Sequence, residues 1–99
     1  MSMDAKARGA LTKIRRCMAA KRYRLSMHFT QRMDERCLFW ADVLVMLDDP
    51  TDVRSDGLDR WGRPKWIIAG QSASGDDLEL VCVLDQDERG NLIVFITIY

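Results

Sequence analysis

The amino-acid sequence predicts a single α+β domain over residues 1–99, with two to three N-terminal helices on one face of a mainly antiparallel four-stranded sheet. Three observations predict it. Apolar residues recur at helical spacing up to Pro50 and at alternate positions beyond it. The connections between the later strands are short and rich in turn residues, which joins neighbours in antiparallel fashion. The chain has 99 residues, 47% of them hydrophobic, enough to bury one core without a disulfide or a metal staple.

The first helix is expected over about residues 5–21, with Asp4 as its N-cap. Leu11, Ile14 and Met18 form its apolar stripe, flanked by Ala7, Ala10 and Cys17. Lys6, Lys13, Arg15, Arg16, Lys21 and Arg22 occupy much of the remainder. Tyr23-Arg24-Leu25 is short and extended or irregular. Ser26 then caps a second helix over roughly residues 27–37, with Met27, Thr30, Met33 and Cys37 on a face that can pack. A third helix runs from about Ala41 to Asp48 with no hydroxyl at its start, and Pro50 stops it. Val53 and Arg54 sit in a weak strand, and residues 56–64 are a loop. Strands follow over residues 65–70, 78–85 and 91–99, separated by turns at 72–77 and 86–90. Strict alternation in the last strand puts Leu92, Val94, Ile96 and Ile98 on one aliphatic face and Asn91, Ile93, Phe95, Thr97 and Tyr99 on the other.

The formal net charge is zero, yet the charge is unevenly placed. Residues 1–37 carry ten Lys/Arg against three Asp/Glu, a balance of +7, and residues 38–99 carry five against twelve, a balance of −7. A basic half suits an anionic partner, nucleic acid first among them; the alternative is that the two halves neutralise each other across the fold. No apolar run approaches a membrane span, and the N-terminus has no secretory h-region. Cys17, Cys37 and Cys82 are odd in number and widely spaced, matching no zinc or redox pattern. They read as buried or half-buried thiols of a reducing cytoplasm, and neither metal nor cofactor is expected. Asp48, Asp49, Asp52, Asp56 and Asp59 lack the EF-hand spacing and read as a solvated loop.

His28, the only histidine, is followed by Arg32 and Arg36 at spacings of four. On a helix the three stack along one side, which makes either a site for phosphate chemistry or a solvated face. Trp61, Arg63, Lys65 and Trp66 mix aromatic and basic side chains in one loop-to-strand corner, a combination that grips single-stranded RNA. Trp66 reads instead as a core residue of its strand.

The run Tyr23-Arg24-Leu25-Ser26-Met27-His28-Phe29, then Arg32-Met33-Asp34-Glu35-Arg36, Asp42-Val43-Leu44 and Asp49-Pro50 resembles a family of small bacterial proteins of unknown function. Gly62-Arg63-Pro64-Lys65 and the terminal Thr97-Ile98-Tyr99 continue the pattern, which covers residues 23–99 and leaves the first helix, residues 1–22, as an extra basic segment. The resemblance implies a RelE/MqsR-like fold. It also implies a metal-independent ribonuclease toxin (an mRNA interferase) held in check by a protein antitoxin. Cleaving RNA without a metal needs a base for the 2′-hydroxyl, cations for the phosphorane and an acid for the leaving oxygen. On that implication His28 is the acid or base, Arg32 and Arg36 hold the phosphate, and Tyr99 completes the catalytic set. Arg63, Lys65, Trp61 and Thr97 are expected to bind the RNA, the alternative being ordinary loop and strand residues. The rival expectation is a module of the same fold that binds RNA or a protein without catalysis.

Overall fold

The structure, a computed structural model, describes residues 4–99. The first helix, α1, spans Ala5–Ala19, and the Asp4 carboxylate accepts from the Ala7 N–H at 2.7 Å. Ala7, Ala10, Leu11, Ile14 and Cys17 are its buried stripe. The second helix, α2, spans Met27–Glu35, with the Ser26 hydroxyl accepting from the Phe29 N–H at 3.0 Å. Both helices stop two residues short of the expected ends, and for one reason. Arg22 N–H bonds back to the Cys17 carbonyl and Lys21 N–H to that of Met18; Leu38 N–H reaches Met33 and Cys37 N–H reaches Asp34. These are Schellman closures, with Lys21 (φ 57°) and Cys37 (φ 53°) in the left-handed conformation that glycine usually fills.

Packing on α2 differs from the expected face. Phe29 and Met33 are buried, whereas Met27 is 78% exposed and Thr30 and Cys37 face solvent. The spacing of four between Phe29 and Met33 carries the contact, and Leu38 packs beside them. Helix α3 spans Trp40–Asp48. The buried Asp42 carboxylate does the work of a cap: it accepts from Phe39 N–H at 2.8 Å and, with its other oxygen, from Ala73 N–H at 2.9 Å. One side chain thereby fixes the helix start and ties it to a strand-connecting turn.

The sheet has five strands, not the expected four: β1 Tyr23–Leu25, β2 Asp52–Leu58, β3 Pro64–Gln71, β4 Asp77–Asp87 and β5 Gly90–Ile98, in the order β1-β5-β4-β3-β2. The additional strand is β1, which pairs in parallel with β5 from Tyr23↔Ile93 to Leu25↔Phe95. Three residues are too few to show an alternating pattern, and the ladder that makes them a strand comes from the far end of the chain. The other pairings are antiparallel, as a meander requires.

All three helices pack on the face carrying Val53, Trp66, Ile68, Leu78, Leu80, Cys82, Ile93, Phe95 and Ile98. Phe95 is fully buried and touches the rings of Phe29, Tyr23 and Trp40, with centroids 5.3, 6.4 and 5.7 Å away. The expected aliphatic face of β5 is therefore corrected. Thr97 pairs with Val81 while Phe95 pairs with Cys82, leaving Ile96 as a bulged residue. Ser26 holds the bulge, its hydroxyl donating to the Ile96 carbonyl at 2.8 Å and its N–H to that of Phe95 at 3.0 Å. Ile93 and Phe95 thus face the helices before the bulge and Ile98 after it. Leu92, Val94 and Thr97 share the opposite face with Val81 and Val83, outside the helix-packed core.

Candidate functional site

Two separate groupings contain the residues that the sequence singles out. The first forms where α2 meets the end of β5. Ser26 pins the start of α2 to the β5 bulge, so the helix runs beside the last residues of the strand. Arg32 Nε then donates to the Ile98 carbonyl at 3.2 Å, and its guanidinium carbon lies 5.8 Å from the Tyr99 ring centre. Arg32 Nη1 meets Glu35 at 3.4 Å, and Nη2 has no hydrogen-bond partner among the described residues. Arg36 and Tyr99 line one open hollow of about 470 Å³. Arg36 makes no side-chain hydrogen bond or ion pair among the described residues.

His28 lies one helical turn before Arg32 on the same side of α2. It is exposed, does not line the Arg36–Tyr99 hollow, and has no hydrogen-bond partner among the described residues. The structure therefore joins Arg32, Arg36 and Tyr99, with His28 at their margin.

The rest of the hollow is acidic. Asp52, Asp77 and Glu79 line it with Arg54. Arg54 spans two of these carboxylates, meeting Asp52 at 3.2 Å and Glu79 at 2.6 Å. These hydrogen bonds, that to Glu79 first, raise the Arg54 pKa above its ordinary value. An anion approaching from β2 would meet spent cations; one approaching from α2 would meet Arg32 and Arg36. Asp52 belongs to the acidic run expected to be a solvated loop but lies in β2 and pairs with Arg54, and nothing in the sequence singles out Asp77 or Glu79. Only the register that places Arg54 beside Ile67, and Glu79 beside Ala69 and Tyr99, gathers them.

The second grouping is at the opposite end of the sheet. Glu79, beside Tyr99, and Asp85, beside Arg63, are six residues apart on β4, or roughly 20 Å along an extended strand. The Asp59 carboxylate organises the β2–β3 turn by accepting from the N–H groups of Trp61 at 3.0 Å and Arg63 at 2.8 Å. The Arg63 side chain is held by Asp59 at 2.7 Å and Asp85 at 3.0 Å. Desolvation pushes the Asp59 pKa up, but the hydrogen bonds from Arg63 and Trp61 together outweigh it and hold the carboxyl below its ordinary value. Lys65 pairs with Asp56 at 3.4 Å. Trp61 is 66% exposed, with Arg60 and Arg63 guanidinium groups 4.2 and 5.0 Å from its ring. Thr97 is buried at 6% exposure, and its hydroxyl has no hydrogen-bond partner among the described residues. Trp66 is a core residue, as expected, at 4% exposure.

Cys17 and Cys82 are buried free thiols and Cys37 is exposed. Burial pushes the Cys82 thiol up to about 12, which keeps it protonated and inert. Among the described residues no group of three or more His, Cys, Asp or Glu side chains could hold a metal ion, and no helix is long and apolar enough to cross a membrane.

The fold and this geometry define a class: an α+β protein carrying an imidazole and a guanidinium group on a helix, and a second guanidinium group at its C-cap, beside the C-terminal strand. A family profile described as a domain of unknown function, DUF4258, matches residues 25–99. The chain belongs to that family, and α1 precedes the matched region. No curated protein and no solved structure matches the chain.

Proposed function

We propose that the protein is a metal-independent endoribonuclease toxin of a toxin–antitoxin pair, RelE/MqsR-like and bacterial, acting in the cytoplasm. The observation that supports it is the contact of Arg32 with Tyr99. Two residues assigned to the same chemistry, one on a helix and one at the far end of the chain, meet, and Tyr99 also lines an open hollow. Arg36 lines that hollow, and His28 stands one turn from Arg32.

In this reading His28 takes the proton from a ribose 2′-hydroxyl. The 2′-oxygen attacks the adjacent phosphorus, the bond to the 5′-oxygen breaks, and a solvent water protonates that leaving oxygen. The products are a 2′,3′-cyclic phosphate and a 5′-hydroxyl. Arg32, through Nη2, and Arg36 stabilise the phosphorane charge, and Tyr99 binds phosphate or stacks on a base. The test is incubation of purified protein with single-stranded RNA in EDTA, with the product ends identified. Cleavage that survives the chelator and disappears in His28→Ala and Arg32→Ala supports the reading, as does growth arrest on expression.

A second reading rests on a specific observation: among the described residues nothing orients the His28 ring. A general base works best when it is held in place. RNA that is bound, with a steep salt dependence, but never cut would make this a non-catalytic RNA-binding module of the same fold.

A further inference from the structure

A second hollow, of about 340 Å³ and basic where the first is largely acidic, lies between the C-terminal half of α1 and the β4–β5 hairpin. Its lining includes Lys13, Arg16, Arg22, Arg89 and Asn91, and no carboxylate among the described residues. Arg22 is fixed at the wall. It donates to the carbonyls of Asn91 and Gly90, each at 3.3 Å, and to the Asp87 carboxylate, which it occupies. The side chains of Lys13, Arg16 and Arg89 are exposed and have neither hydrogen bond nor ion pair among the described residues.

The helix end does not account for these cations. The carbonyls of Arg16, Cys17 and Met18 are already taken by the N–H groups of Ala20, Arg22 and Lys21. Dipole complementarity favours a cation in the last turn of α1, where Arg16 sits, but it has no hold on Arg89. Arg89 arrives from a different element, set by a hairpin turn in which Asp87 accepts from its backbone N–H at 2.8 Å. Two elements thus present unspent positive charge to one concavity, a condition that concentrates phosphate. From Asn91 at this hollow, β5 leads to Tyr99, the residue after it, at the candidate cleavage site, eight residues or roughly 25 Å away.

We infer that this hollow grips the phosphodiester backbone of an RNA strand at a distance from the α2 site. It takes RNA as the ligand from the function proposed above but requires no cleavage, so the two are tested by different readouts. The experiment measures binding of a labelled single-stranded RNA of mixed sequence by fluorescence anisotropy across a salt series at about pH 8, with EDTA present. The proteins are the full chain, a Lys13→Ala/Arg16→Ala/Arg89→Ala triple variant, and the charge-preserving Lys13→Arg/Arg16→Lys/Arg89→Lys variant. Each phosphate contact on a single strand contributes about 0.7 to the slope of log K against log salt, so the triple alanine variant should lose about 2. The charge-preserving variant should keep the wild-type slope. Both substituted proteins should keep the wild-type circular dichroism, because all three side chains are exposed. A wild-type slope in the alanine variant, or no RNA binding by the full chain, overturns the inference. So does an acidic peptide such as oligoglutamate displacing the RNA from wild type at equal charge concentration, which would assign the hollow to an acidic protein. Loss of slope in a chain that never cuts RNA leaves the inference standing and removes only the nuclease.

Discussion

The cations of the sheet and those of the helices have different fates. Arg54, Arg63 and Lys65 are each held by carboxylates of the acidic half of the chain: Asp52 and Glu79, Asp59 and Asp85, and Asp56. Lys13, Arg16 and Arg36, from the basic half, have no such partner among the described residues. Arg22–Asp87 joins the two halves, and Arg32 pairs within its own helix. The two halves of the sequence do not cancel each other. Among the described residues five carboxylates of the acidic half hold three of its own cations, Asp87 takes Arg22, and Lys13, Arg16 and Arg36 stay available at the surface.

That difference can be broken most forcefully at His28. An acid–base group contributes about 10²- to 10⁴-fold to rate, so His28→Ala should lower RNA cleavage by that factor. Its melting temperature should stay at the wild-type value, because the side chain is exposed and unpartnered. Arg63→Ala should do the opposite. It removes two ion pairs and the packing on Trp61, and should lower the melting temperature by about 5 °C while leaving the salt slope of RNA binding unchanged. Arg36→Ala is its mirror image, reducing the slope by about 0.7 with little change in melting. If Arg63 rather than Arg36 carried the slope, the division between spent and available cations would fail.

The smallest effect concerns acid. A backbone hydrogen bond from Gln86, followed by the Arg63 side chain, holds Asp85 below the ordinary 3.8. The Arg22 side chain, followed by the Arg89 N–H, does the same for Asp87. A lowered folded pKa stabilises the native state fully above the unfolded value, and that contribution disappears as the pH falls through the folded one. Denaturant unfolding between about pH 5 and about pH 2 should show this loss below the ordinary carboxylate value. Asp85→Asn and Asp87→Asn should each show a shallower decline.

What the sequence made legible was local. The caps Asp4 and Ser26 and the α1 stripe depend on residues within a few positions of each other, and each is found in place. The features that shape the site are non-local. β1 exists because β5 is beside it, and the β5 bulge is held by Ser26 from across the chain. That bulge puts Thr97 on the face away from the helices, and no alternation pattern could reveal it. The helical spacing placed His28, Arg32 and Arg36 on one side of α2, but only the tertiary contact brings Tyr99 to Arg32. Nor does composition distinguish the paired Arg63 from the unpaired Arg36. The carboxylates that decide it, Asp59 and Asp85, belong to a turn and a strand whose register the sequence alone does not set.

The most direct test of the central claim is an assay of single-stranded RNA with wild type and His28→Ala side by side in EDTA. Wild type should produce fragments ending in 2′,3′-cyclic phosphate and 5′-hydroxyl, and the variant should leave the RNA intact at equal folded concentration. Intact RNA with both proteins, or equal cleavage by both, would contradict the assignment of RNA cleavage to the α2 row.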